Sequence, residues 1–286
     1  MSERYITESR CLMRWIWTGL SPLRSAQTMR TTRIGILSAS SVSAARMKSS
    51  NVPLSFAQFP DARSRELGLD ILAQLGSDAE RPFLEDVIRI ATPLANDSDA
   101  IVRRSAISAL GHQWDLRSLP TLLQHQFDAD ANVRWAVAQA IPTVVSSPPE
   151  PSAVAALVTL MRDEDSDVRD WATFGIGSLL DVDGNEIRQA LTERLDDPDG
   201  DTAGEALVGL ARRGDLGIVD RVNALLANPQ IGNLIVEAAG ELADPRLIPA
   251  LERLREAGWA ASDPLGAILE TAIGACRSGK PVSRDA

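Results

Sequence analysis

His112 and His125 are the only histidines in the 286-residue chain, and a glutamine follows each. An imidazole acting as base, nucleophile activator or metal ligand needs a carboxylate, a nucleophile or further ligands at defined spacing. Neither position makes a His-Glu pair. The sequence also lacks a Gly-rich phosphate loop, His-Glu-x-x-His and Gly-x-Ser-x-Gly. Two acidic stretches, Asp163-Glu-Asp165-Ser-Asp167 and Asp196-Asp-Pro-Asp199-Gly-Asp201, carry oxygens suited to calcium. Neither keeps the mid-loop glycine and terminal glutamate of an EF-hand loop, so they read as helix caps. The expectation is no catalytic residue, no metal and no cofactor. What remains is recognition chemistry: Trp135, Trp171 and Phe174 as apolar anchors, with Gln139, Asp170, Glu205 and Glu237 as polar neighbours.

These residues must be positioned by regular elements, and the sequence repeats itself. A block Asp-x-x-Val-Arg-x-x-Ala occurs as Asp99 to Ala106 (Val102, Arg103) and as Asp165 to Ala172 (Val168, Arg169). A third copy starts at Asp130, with Val133 and Arg134. A weaker copy begins at Asp61, and degenerate ones begin at Asp199, Asn228 and Ser262, with separations of 38, 31, 35, 34, 29 and 34 residues. Such a period signals stacked supersecondary units. Each block predicts a helix whose leading Asp accepts an orphan backbone N–H and complements the positive helix end. Seven residues after the Val position stands a small residue (Ala109, Ala140, Gly175, Gly209, Ala238, Ala272), which predicts close helix approach. Glycines at Gly76, Gly111, Gly177 and Gly240 read as places where a helix ends or bends.

A second set alternates with the first. Asp115-Leu-Arg117-Ser-Leu119-Pro120-Thr-Leu122 and Asp244-Pro-Arg246-Leu-Ile248-Pro249-Ala-Leu251 are near copies, with a looser one from Asp215. Proline near a helix start costs little because its missing N–H is unused there. Leu84, Val87 and Ile88, or Ile187, Leu191 and Leu195, then form one apolar face. Every unit reads as a helical hairpin, and Ser146 to Pro151 reads as a connection between units.

On these blocks the chain resembles HEAT-repeat proteins, specifically the PBS-lyase HEAT-like type, over about residues 61–276. The resemblance implies an all-α solenoid of about six to seven stacked hairpins. It implies no single function, since such arrays serve as scaffolds and as enzymes. Deoxyhypusine hydroxylase, a HEAT-repeat enzyme, holds iron through His-Glu pairs that this chain lacks. Bilin lyase subunits share the repeat type, and a bilin lyase-like role is the alternative to a scaffold. HEAT-like alkylpurine DNA glycosylases pair tryptophans with an Asp, an inventory that Trp135, Asp170 and Trp171 superficially match.

Charge weighs against the glycosylase. The chain carries 29 Lys+Arg and 39 Asp+Glu for a net −10, unevenly distributed. Residues 1–52 hold eight basic residues and two acids, so the remaining 234 residues carry −16. Nucleic-acid affinity rests on basic groups neutralising phosphates, so no nucleic-acid partner is expected. The division expected is a basic, disordered N-terminal extension (1–52) and a repeat array (53–286). The extension is Arg-rich and acid-poor like a transit peptide; alternatively translation starts at Met47, and no function is assigned to it. Cys11 and Cys276 lie too far apart in sequence for a zinc spacing or disulfide framework, which suggests a reducing, cytoplasmic setting. No run approaches the length needed to cross a bilayer, so no membrane partner is expected.

The repeat register separates two kinds of residue. Asp99, Arg103, Asp130, Arg134, Asp165 and Arg169 recur in every strong unit, so they read as stacking residues, each Arg near acids of an adjacent turn. Residues two and six beyond the Val position (Trp135 and Gln139, Asp170 and Phe174, Gly204 and Val208, Asn233 and Glu237) fall on one helical face, with Trp171 and Glu205 beside them. This predicts an aromatic patch rimmed by acid on the concave surface. It would suit a protein partner with a basic or mixed apolar and basic segment.

Overall fold

The computed structural model describes residues 59–75, 81, 83–228, 230–259 and 265–282. The N-terminal extension, Gly76 and the repeat start at Ser262 lie outside them. Among the described residues there are thirteen α-helices and no strand. In chain order they are α1 (Ala62–Leu75), α2 (Leu84–Leu94), α3 (Ala100–Gly111), α4 (Leu119–Gln124), α5 (Ala131–Val144), α6 (Pro151–Leu160) and α7 (Ser166–Phe174). There follow α8 (Asn185–Arg194), α9 (Gly200–Arg212), α10 (Val219–Leu225), α11 (Asn233–Leu242), α12 (Ile248–Glu256) and α13 (Leu265–Ser278).

The even-numbered helices each pair with the helix that follows, giving six hairpins after α1. The odd-numbered helices also pack on one another in succession, α1 on α3, α3 on α5, and so on to α13. The chain is therefore an α-solenoid whose odd row forms a continuous spine. The core runs along that row. Val102, Val133 and Val168 are fully buried, as is Thr202 at the equivalent place in α9. Each buried Val contributes on the order of 1.5–3 kcal/mol relative to an exposed one.

The cap chemistry follows from the repeated Asp. Asp99 accepts the Ile101 N–H at 3.0 Å, Asp130 that of Asn132 at 2.8 Å, Asp165 that of Asp167 at 2.9 Å and Asp199 that of Thr202 at 2.8 Å. In the alternate set the Asp caps a short 3-10 turn first. Asp115, Asp215 and Asp244 open Leu116–Ser118, Leu216–Ile218 and Pro245–Leu247, and the α-helix follows. Pro120 and Pro249 then sit in the first turn of α4 and α12.

Two glycines expected to end or bend helices do different work. Gly111 is the last residue of α3, but a Cβ there would lie 2.7 Å from the Ala140 Cβ of α5. Gly177 faces Gly209 of α9, where a Cβ on Gly209 would come within 2.8 Å of the Gly177 Cα. Close approach between neighbouring odd-row helices, rather than a left-handed turn, requires these residues to lack a side chain.

The recurring arginines form a ladder between turns. Arg65, Arg103, Arg134 and Arg169 each donate two hydrogen bonds, Nε and Nη2, to Asp97, Asp128, Asp163 and Asp197 of the next turn, all at 2.7–2.9 Å. The remaining guanidinium nitrogen, Nη1, donates to two backbone carbonyls of the arginine's own turn, as in Arg169 to Asp163 O and Glu164 O at 3.0 Å each. The acceptors are not the capping aspartates but residues two places before them. Their second task is to accept the cap's own N–H, as Asp128 does from Asp130 at 3.0 Å and Asp163 from Asp165 at 2.9 Å. Burial pushes these four carboxyls up, but the guanidinium and the backbone N–H outweigh it, holding them below the usual carboxylate range.

Candidate functional site

The residues singled out for recognition lie on α5, α7, α9 and α11 of the odd row. Trp135 of α5 meets Trp171 of α7 edge to face, with ring centroids 6.3 Å apart and planes at 85°. Trp171 in turn meets Phe174 at 5.7 Å and 82°. The register calculation brings these three rings together, and the structure does so as a stack across the α5–α7 seam.

Their exposure differs from that of an open patch. Trp171 and Phe174 are each 5% exposed, and Asp170 and Glu205 are buried too. Trp135 and Gln139, one turn apart on α5, stay half-buried, as does Glu237 on α11. The reason is the close approach of the odd-row helices at their small residues, which brings the rings of adjacent helices against one another. The Gln139 Nε2 is buried without a hydrogen-bond partner. A buried amide donor in that state carries an uncompensated desolvation cost.

Beside the rings the backbone departs from the α pattern. After α7 the chain makes a π turn over Gly175–Leu179, with Leu180 N–H donating to Gly175 O at 3.0 Å. A π turn frees carbonyls at the helix end, and two adjacent arginines from the end of α9 take them. Arg213 donates to Ile176 O at 2.6 Å and to Gly177 O at 3.2 Å, and Arg212 donates to Ser178 O at 2.9 Å. Arg212 also reaches α11, donating to Glu241 at 3.1 Å and Glu237 at 3.3 Å, and its side chain is buried. Ser178 Oγ donates to Glu205 at 3.4 Å. Three glutamates, a serine and an arginine thus converge where α7, α9 and α11 meet. Sequence reading found Glu205 and Glu237 but missed Glu241 and Arg212. The available signal was the one-turn spacing of Glu237 and Glu241.

The other expected positions fall elsewhere. Asp99, Asp130 and Asp165 cap their own helices, whereas Arg103, Arg134 and Arg169 form the rungs between turns, so only the arginines are in stacking contacts. A cleft of about 360 Å³ opens between the turns at Gln126–Asp128 and Arg162–Glu164, beside the 73%-exposed Phe127. It includes Arg134 but none of the expected partner residues. Among the described residues no group of His, Cys, Asp and Glu is arranged to hold a metal ion, and no helix is long and apolar enough to cross a membrane.

The comparisons agree with this architecture. The family model for HEAT repeats matches residues 88–177. Protein YibA of Escherichia coli strain K12 is 30% identical over 197 residues, spanning 66% of this chain and 68% of YibA. The chain belongs to the HEAT-repeat family. This HEAT array also superposes on the crystal structure of E. coli YibA with a TM-score of 0.62 at 27% identity, covering 79% of this chain and 80% of that one. The complex of CpcE and CpcF of phycocyanin lyase from Nostoc sp. PCC7120 is more distant, at 16% identity and a TM-score of 0.46 over 78% of this chain and 93% of that one. At that distance its activity does not transfer to the HEAT array.

Proposed function

We propose that the HEAT array is a non-enzymatic scaffold that binds a protein segment along its odd-numbered helices. The observation that carries this reading is the half-buried Trp135, with the half-buried Gln139 one turn away on the same face of α5. A partner's apolar side chain would cover the ring, which stays open to solvent on one side. Trp171 and Phe174 then act from behind, fixing Trp135 by the edge-to-face stack, and Asp170 supports them from the same helix. Glu237 supplies the negative rim, with Glu205 buried behind it adding to the local negative charge, so the favoured segment is basic or mixed apolar and basic. Aromatic anchors commonly dominate such interfaces, and the rim charge chiefly speeds encounter and rejects acidic partners. The setting proposed is cytoplasmic, with residues 1–52 an extension outside the array.

The test is fluorescence anisotropy with labelled peptides that interleave Trp or Leu with Lys or Arg, against acidic peptides of the same length. Binding of the basic set, weakened about tenfold or more by Trp135→Ala and made salt-insensitive by Glu205→Gln with Glu237→Gln, supports the scaffold. Equal binding of both sets, or no effect of Trp135→Ala, overturns it. A bilin lyase-like role is separated by incubating the array with a bilin and an acceptor protein: a covalent, coloured product would replace the scaffold reading.

A further inference from the structure

The ladder stops after Arg169, although the turns that would carry the next rung keep two of its backbone hydrogen bonds. Ala203 N–H donates to Asp199 O at 3.1 Å, as Arg169 N–H does to Asp165 O at 3.2 Å, so Ala203 stands where a fifth rung arginine would be. Asn228 Oδ1 accepts from Gln230 N–H at 3.0 Å, as Asp197 Oδ1 accepts from Asp199 N–H at 3.0 Å, so Asn228 stands where the acceptor would be. The arginine and the carboxylate are therefore replaced together. The next helix is also weaker at its start. α11 has Gly232 as its cap with no side-chain hydrogen bond, whereas α3, α5, α7 and α9 each have an aspartate. What fastens this joint instead is the Arg212 pair with Glu237 and Glu241, the half-buried Arg221 of α10 donating to Leu195 O at 2.5 Å and Asp196 at 2.8 Å, and the contact of Gly204 with Leu234, where a Cβ would lie 2.7 Å from Leu234 Cδ1.

In a stacked array, stability is the sum of unit terms and nearest-neighbour interface terms, so cooperativity divides at the weakest interface. We propose that this array divides between α9 and α10, and that α10–α13 open as one unit while α1–α9 stay closed. The buried Arg212 contacts are the pivot, since they cross the joint at the opposite end of α9 from the missing rung, while the more exposed Arg221 contacts part on opening. The inference does not depend on the partner reading.

Cys276 on α13 reports the opening directly. It is fully buried, and burial pushes its thiol up to about 11, so labelling requires the helix to leave its site. Thiol labelling of the full chain carrying Cys11→Ser, combined with native-state hydrogen exchange, makes the test. The expected result is one shared opening for α10–α13, faster than for α3–α9 and matched by the Cys276 labelling rate. Gradual fraying from α13 inward, or equal protection throughout, overturns the proposal. Rebuilding the rung with Ala203→Arg and Asn228→Asp slows Cys276 labelling about tenfold, the effect of one charge-assisted pair, and leaves α3–α7 unchanged; no slowing in a folded variant overturns it. Should that variant not fold, the reverse exchange decides. Arg169→Ala with Asp197→Asn copies the natural gap one unit earlier, and α8–α9 must then open together with α10–α13. If they keep their wild-type protection, the weak joint is not set by the rung.

Discussion

The turns before and after Asp199 share the helical-hairpin plan but are held by different means. Before it, four guanidinium groups each bridge two turns, and every odd-row helix from α3 to α9 begins on a side-chain cap. After it, the bridge is absent at Ala203 and Asn228, and the contacts across the joint come from the buried Arg212 to α11 and the more exposed Arg221 to Leu195 O and Asp196. The contrast shows that the repeat geometry itself needs no ladder. Helix packing at small residues sets the stacking, and the rungs add resistance to separation.

Acidification breaks the contrast most completely, because it acts on all four rungs together. Folding lowers the pKa of Asp97, Asp128, Asp163 and Asp197. The unfolded chain therefore binds more protons in the acid range, and the stability these groups confer is present above about pH 4 and lost as pH falls through their folded values. Urea midpoints measured from pH 6 down to 2.5 should drop across that window. Hydrogen exchange should place the loss in α1–α9, bringing their protection toward that of α10–α13.

Single changes sharpen the comparison in decreasing steps. Arg134→Ala leaves Asp163 buried without its guanidinium and should cost about 3 kcal/mol by urea denaturation, whereas the same alanine occurs naturally at position 203. Gly209→Ala should cost about 2 kcal/mol despite the better helix propensity of alanine, because the new methyl meets the Gly177 backbone. That result would place backbone approach, rather than charge, second in importance. Asp165→Ala removes a cap and should cost about 1 kcal/mol. Its counterpart, Gly232→Asp, should gain a few tenths of a kcal/mol in α11. Both are read from urea midpoints.

Most of this architecture was legible in the sequence, because its causes are local. The Asp caps, the first-turn prolines and the small residues at one helical level each leave a fixed spacing, and together they gave hairpins and their order. The rung acceptors were equally legible in principle: Asp97, Asp128, Asp163 and Asp197 each stand two places before a capping Asp, and Asn228 breaks that pattern where Ala203 breaks the arginine series. The recognition residues were legible only as a set. Helix register brings Trp135, Trp171 and Phe174 to neighbouring helices, but whether a ring faces outward depends on how near the adjacent helix comes. That distance is fixed by contacts such as Gly177 with Gly209, between residues 32 positions apart. The π turn after α7 and its capture by Arg212 and Arg213 depend on the same long-range meeting, so they left no local mark.

Each rung joins a turn only to its immediate successor, and every rung uses the same atoms. Deleting the stretch from Asp128 through Arg162 would leave Arg103 opposite Asp163, an aspartate with the same surroundings as the one removed. Lengthening or shortening by whole modules thus preserves the seam on both sides of the cut, whereas gain or loss of a fraction of a module does not. Changes in array length are channelled into integral numbers of hairpins.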